Sequence, residues 1–294
     1  MITIPSLELQ LTDTCQHQCA FCANGDGPNK QRVFDRDSLA EVLARTHIQS
    51  MIFTGGEPTA HLDLLLDEIR MAKESGVETV KINTNVELLN AERLRELEVA
   101  GLDILHFALN TFDQEKHCNL RRNPHAKVEK VCENIETALA QTQLRLKPEF
   151  VCMKENMEDF WNVYDYLNGL CERYPGRIGS LELQRLIPVG RAASESQAME
   201  VDDMISVLSQ HPLGELPIDA YCFGKQGRRL EQYGVNALKC VDATDCGCSL
   251  VRVDVEGNVS STNFSGRPSI GKIATITEES IQKLLGEKCP LAEI

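Results

Sequence analysis

Leu9 to Gly25 reads LQLTDTCQHQCAFCANG: a short segment of alternating apolar residues, then three cysteines within eight positions. The alternation predicts a strand, so Cys15, Cys19 and Cys22 fall on the loop that leaves it, spaced CxxxCxxC. A structural zinc site would need a fourth local ligand, and His17 lies inside the loop, where it cannot easily complete a tetrahedron with its neighbours. A haem attachment would need histidine after Cys22, and Ala23 stands there; a thioredoxin-like pair at Cys19 and Cys22 leaves Cys15 unexplained. Three thiolates do suit a four-iron cubane, because they leave one iron open to an exchangeable ligand.

The rest of the chain gives that loop its setting. The 294 residues are 42% hydrophobic and 25% charged, which suits a single core or a barrel with a small appended module. No apolar run approaches the length of a membrane helix, and the start MITIPSLELQLT lacks the pattern of a secretory signal, so a cytoplasmic location is expected. Twelve cysteines in such a chain are read as thiols, several of them binding metal. A formal charge of −14 argues against nucleic acid as a partner and favours cationic small molecules.

Strand-like runs alternate with helix-period stretches: SLELQLT from Ser6, SMIFTGG from Ser50, ETVKINTN from Glu78, DILHFALNT from Asp103, LRLKPEFVC from Leu144 and SLELQRLIPVG from Ser180, each followed by a helical pattern. Asp35, Asn90 and Asn156 are placed as N-caps, Gly76 and Gly101 as C-caps. Six such pairs imply a parallel sheet, expected as an α/β fold: a partial (β/α)6 barrel of the TIM type over residues 1–215. From about Leu216 the rhythm breaks into a cysteine-rich α+β module over 216–294, in which SLVRVDVEGNVSST reads as a hairpin around a Glu-Gly turn. Ligands belong at the C-terminal ends of the strands.

Taken together, the CxxxCxxC loop and the motifs at those strand ends resemble the radical SAM enzymes. The resemblance implies that Cys15, Cys19 and Cys22 hold a [4Fe-4S] cluster whose open iron binds S-adenosyl-L-methionine. One electron then gives a 5′-deoxyadenosyl radical that abstracts a substrate hydrogen. Phe21 is similar to the family's aromatic residue near the adenine. FTGGEP, from Phe53 to Pro58, looks like the motif whose backbone (Gly55, Gly56, Pro58) and carboxylate (Glu57) hold the cofactor's amino group. Two glycines let a backbone approach a ligand closely. INTN (Asn83, Thr84, Asn85), Asn110 of ALNT, and Gln184, Leu186 and Arg191 of QRLIPVGR resemble positions that contact the ribose, carboxylate or adenine. An electron donor of the flavodoxin or ferredoxin type is implied as well.

Past the barrel come Cys222, Cys240, Cys246, Cys248 and Cys289, a pattern that resembles the twitch or SPASM modules with auxiliary clusters. The resemblance implies one auxiliary [4Fe-4S] cluster with ligands among Cys222, Cys240, Cys246 and Cys289, although Thr262 stands where the family usually has a cysteine. A spare thiol, Cys248 with Cys222 as runner-up, is then the candidate hydrogen-atom donor to a substrate radical. Cys118, Cys132, Cys152 and Cys171 have no ligand spacing and are expected as small buried hydrophobes. His117 and Arg121 either face the substrate or are solvated. The expected reaction is epimerisation or dehydrogenation of a carbinol carbon in an amino sugar or aminocyclitol. The alternatives are a ribosomal-peptide maturase, which would need a separate recognition protein, and a non-enzymatic electron carrier.

Overall fold

The computed structural model describes residues 2–23, 30–187, 189–194, 197–237, 250–261 and 269–285. Strand and helix alternate as β1 (Ile2–Thr12), α1 (Arg36–Arg45), β2 (Thr46–Gly55), α2 (Leu62–Glu74), β3 (Thr79–Thr84), α3 (Ala91–Ala100) and β4 (Ile104–Ala108). Then follow α4 (Gln114–Arg121), α5 (Val128–Gln141), β5 (Arg145–Cys152), α6 (Phe160–Arg173), β6 (Leu181–Arg185), α7 (Val201–Leu208), β7 (Ile218–Tyr221) and β8 (Val235–Asn236). The chain returns with β9 (Val251–Val253), β10 (Asn258–Ser260), β11 (Gly271–Lys272) and α8 (Glu278–Leu285).

All of these strands lie in one sheet of order β11-β10-β9-β1-β2-β3-β4-β5-β6-β7-β8. From β1 to β8 every neighbour is parallel, as βαβ crossovers require, and the sheet is not closed. This is the partial barrel expected of the repeating pattern. The segment beyond residue 215 contributes to both edges. Its β7 and β8 extend the sheet past β6, while β9 pairs parallel with β1 and carries the antiparallel β10 and β11. Gly257, at φ +81°, closes the turn between β9 and β10, its N–H donating to Asp254 O at 2.8 Å.

The two faces of the sheet differ. Leu7, Leu9, Leu11, Met51, Phe53, Val80 and Ile82 are at most 1% exposed and belong to the core cluster that also includes apolar residues of the flanking helices. Because side chains alternate along a strand, the intervening residues share the opposite face. The ladder pairs Arg252 with Glu8, Asn83 with His106, His106 with Lys147, Glu149 with Glu182, and Glu182 with Asp219. The concave face is therefore polar, whereas TIM-type barrels fill theirs with branched apolar residues.

Local signals explain most helix ends. Asp35 accepts from Ser38 N and Asn90 from Arg93 N, the capping bonds their side chains predict, and Gly101 closes α3 at φ +106°. Asn156 differs. It caps no α-helix with its side chain, which is fully buried and bonds Met153 N, Asn110 O and Val151 O. The short helix α4 was hidden, since QEKHCNLR has little apolar periodicity; Asp113 caps it by accepting from Lys116 N. Of the scattered cysteines, Cys152 is fully buried, while Cys118, Cys132 and Cys171 are half-buried. Among the described residues no helix is long and apolar enough to cross a membrane.

Candidate active site

The cysteine loop begins where β1 ends, and three parts of the chain fasten it by backbone hydrogen bonds. Gly56 N donates to Thr12 O and Glu57 N to Thr14 O, both at 2.7 Å. Gln18 N and Ala20 N donate to Arg121 O and Leu120 O at the end of α4, and Arg191 N donates to Cys22 O at 3.1 Å. The glycines serve this contact. A Cβ on Gly55 would lie 2.2 Å from Thr12 O, one on Gly56 2.2 Å from Thr14 O, and one on Gly190 2.5 Å from Cys22 O and Ala23 O. The close approach expected at Gly55 and Gly56 is thus made to the protein's own loop, and Gly190 is a third such position that the sequence did not single out.

Glu57 is 1% exposed and sits at the centre of this frame. Its Oε1 accepts from Thr59 N, Thr59 Oγ1 and Thr84 Oγ1, and its Oε2 from Asn85 N, at 2.6–3.0 Å. Pro58 starts the 3-10 turn that follows. One carboxylate therefore joins the end of β2 to the end of β3. Asn85 Oδ1 extends the link to the cysteine loop by accepting from Gln16 Nε2 at 2.9 Å.

Beside the thiols lies a buried polar network. Arg121, 6% exposed, donates to Ala108 O at 3.1 Å, reaches Cys19 Sγ at 3.6 Å and lies over the Phe21 ring at 5.6 Å. His17 and His117 both face Glu87 Oε1, at 3.1 and 3.3 Å. Although burial opposes it, the bonds from His117 and His17 hold the Glu87 carboxyl down at about 2. His117 and Arg121 are therefore buried rather than solvated. The Cys15 thiol is pushed up to about 12 by burial and by the negative charges of Glu57, Cys19 and Cys22.

The other sequence-predicted positions fall around this frame. Phe21 packs against the cluster of Leu120, Val151, Met153, Leu186 and Ala192, so Phe21 and Leu186, far apart in the chain, form one apolar surface. Asn110 is 5% exposed and accepts from Val151 N through Oδ1, which holds β5. Gln184 donates to Arg185 O. Asn83, Thr84, Asn85, Gly56 and Glu57 line a cavity of about 160 Å³ that also touches His106 and Glu149. Cys222, half-buried with φ +66°, directly follows β7. Cys240, Cys246, Cys248 and Cys289 lie outside the described residues.

The barrel face beyond the cavity carries paired charges. Lys147 Nζ lies 3.4 Å from Glu182 Oε1 and 3.5 Å from Asp219 Oδ2; Arg252 faces Glu8 at 3.7 Å. His106 Nε2 lies 3.4 Å from Glu149 and 3.5 Å from Glu182. Sequence reading missed these residues, because only register brings them together.

Comparison with known proteins agrees with this frame. Similar curated proteins include the GTP 3′,8-cyclase of Limosilactobacillus fermentum, 25% identical over 269 residues, spanning 87% of this chain and 78% of that protein. A probable GTP 3′,8-cyclase of Sulfurisphaera tokodaii is 30% identical over 268 residues, spanning 88% and 81%. Among solved structures, Streptococcus suis SuiB bound to its precursor peptide SuiA superposes with a TM-score of 0.69 at 13% identity, over 99% of this chain and 66% of SuiB. The AdoMet-bound anSMEcpe gives 0.65 at 14% identity, over 98% and 81%. These two likenesses bear on the fold alone. The family model of the radical SAM superfamily matches residues 9–167. With more than half of its residues inside that match, the chain belongs to the radical SAM superfamily.

Proposed function

We propose that Cys15, Cys19 and Cys22 hold the [4Fe-4S] cluster that the superfamily implies, and that S-adenosylmethionine lies between the Phe21 and Leu186 surface and the Gly56–Asn85 cavity. The donor set fits such a cluster. Burial first, and then the neighbouring Glu57, Cys19 and Cys22, oppose ionisation of the Cys15 thiol, a cost that bound iron would remove. When bound, cluster and S-adenosylmethionine together supply a 5′-deoxyadenosyl radical by reductive cleavage of the sulfonium. The chain's own residues do the rest. Glu57 and the glycines fix the loop, Phe21 and Leu186 offer an apolar platform to a nucleobase, and Arg121 steadies the Cys19 side.

The observation that carries the substrate reading is the polar face of the barrel. Glu8, Glu149, Glu182 and Asp219 share that face, with Glu8 and Asp219 buried, so the interior suits a small molecule dense in hydroxyl or amino groups. Hydrogen abstraction from a carbinol carbon of an amino sugar or aminocyclitol, leading to epimerisation or dehydrogenation, fits that face. Cys222 and Cys248 remain the proposed thiol donors, and Cys222, Cys240, Cys246 and Cys289 the proposed ligands of an auxiliary cluster. The names of the curated relatives favour a second reading, ring closure on GTP. A triphosphate needs cations, and here Lys147 and Arg252 are already paired with carboxylates.

The test is anaerobic turnover of the reconstituted protein with dithionite and S-adenosylmethionine, against carbon-deuterated amino sugars, aminocyclitols and GTP. Deuterium in 5′-deoxyadenosine from an amino sugar or aminocyclitol supports the first reading, and deuterium from GTP the second. If no 5′-deoxyadenosine forms under any condition, both fail.

A further inference from the structure

We propose that the concave face of the barrel holds a divalent metal ion of the zinc class, bound by His106, Glu149 and Glu182, with a fourth position open to the cavity. These residues stand on the adjacent strands β4, β5 and β6, and one donor atom from each lies within 4.8 Å of the other two. The site is separate from the cysteine loop and from the apolar surface of Phe21 and Leu186.

Tautomer and distance both point to a metal. His106 Nδ1 lies 3.0 Å from Asn83 Oδ1, which can only accept, so Nδ1 carries a proton and Nε2 is the nitrogen turned to the site. Nε2 is buried, makes no hydrogen bond, and in the neutral ring offers a lone pair. It faces two carboxylate oxygens at 3.4 and 3.5 Å, an arrangement that calls for a positive charge, supplied by a proton on Nε2 or by a metal ion between the three atoms. In a tetrahedral zinc site with bonds of about 2.1 Å, neighbouring ligand atoms stand about 3.4 Å apart, 1.63 times the bond length. An ammonium group would need acceptors about 2.9 Å from its nitrogen, hence roughly 4.7 Å from one another. The two spacings from His106 Nε2, 3.4 and 3.5 Å, match the metal, and the two carboxylate oxygens lie within 4.8 Å of each other.

The surroundings are those of a metal site as well. Asn83 orients the histidine from behind, and Lys147 lies against the other oxygen of Glu182, leaving one oxygen of that carboxylate to the site. Nitrogen and oxygen donors select zinc, manganese, cobalt or iron(II) over calcium or soft metals. His106 and Glu149 border the 160 Å³ cavity, which gives the fourth position to water or to an oxygen substituent of a substrate.

The test uses the anaerobically purified, cluster-loaded protein, dialysed against Co²⁺ as a zinc probe and read by metal content and X-ray absorption. The expected result is one cobalt per chain with nitrogen and oxygen neighbours only. Affinity should fall more than tenfold in His106→Ala and Glu149→Gln, and by about 10–100-fold in Asn83→Ala, which keeps all three ligands. Thermal melts check that each variant folds, and His106→Gln replaces His106→Ala if the latter does not. Equal uptake by wild type and the folded His106 variant would overturn the proposal, as would cobalt surrounded by sulfur. Metal uptake needs no substrate or turnover, so its failure would leave the radical chemistry untouched.

Discussion

Replacing Gly56 by alanine tests the reasoning about the cysteine loop most directly. The added Cβ would lie 2.2 Å from Thr14 O, where ordinary contact begins near 3.4 Å. Thr14 is backbone next to Cys15, so no flexible side-chain end can yield. The loop must retreat by roughly 1 Å, and displacement of that size in a reacting constellation costs on the order of 100-fold in rate. The same movement strains the Gly56 N to Thr12 O and Glu57 N to Thr14 O bonds, and overpacking of this kind costs about 1–3 kcal/mol. The fold should survive such a loss. The assay compares iron and sulfide per chain, the rate of 5′-deoxyadenosine formation with dithionite, and the denaturant midpoint. Reduced cluster content and a rate down about 100-fold, with the fold intact, are expected. A Gly56→Ala protein with full iron content and an unchanged rate would show that the contact between the β2 turn and the loop does not position the thiols.

Other outcomes follow from the same structure. Alanine at Cys15, Cys19 or Cys22 should abolish 5′-deoxyadenosine formation measured by chromatography, and any variant that retains cleavage removes that cysteine from the ligand set. Arg121→Lys withdraws a donor from Cys19 Sγ, so redox titration followed by electron paramagnetic resonance should find a lower cluster potential; an unchanged potential refutes the contact. Glu68 is fully buried in α2 with neither carboxylate oxygen hydrogen-bonded, and burial pushes its carboxyl up to about 8. The native state therefore binds this proton more tightly than the unfolded chain, and the stability it gives is complete below about pH 4.5 and lost as pH rises through 8. The loss is on the order of 3–5 kcal/mol, and Glu68→Gln should flatten the fall in denaturant midpoint between pH 5 and pH 8.5. An equally steep fall in the variant would exclude Glu68 as its source.

The elements whose determinants are contiguous were legible in the sequence. CxxxCxxC, GGEP and INTN each report on a single strand end, and Asp35, Asn90 and Gly101 carry their capping chemistry locally. What escaped depends on distant pairing. Arg121 meets Cys19 across 102 positions, His17 and His117 meet at Glu87, and His106, Glu149 and Glu182 converge only through strand register. The parallel pairing of β9 with β1 joins segments more than 240 residues apart, and no local pattern encodes it. Asn156 stands at the N-cap position of the 3-10 turn leading into α6, but its side chain makes no capping bond, for a related reason. Its type suits a helix cap, but the buried carbonyls of Asn110 and Val151 compete for its side chain and win.

The backbone hydrogen bonds that tie the cysteine loop to the β2 turn, to α4 and to the segment after β6 also bear on how the enzyme matures. A zinc finger collapses around its metal because little else holds the ligands. Here protein bonds also hold the loop that carries the thiols, and if Cys15, Cys19 and Cys22 are the ligands, the loop is expected to keep its place before iron arrives. Assembly machinery in the cell would then deliver its cargo to a folded chain, and stripping the iron with a chelator should leave an intact barrel ready for reloading.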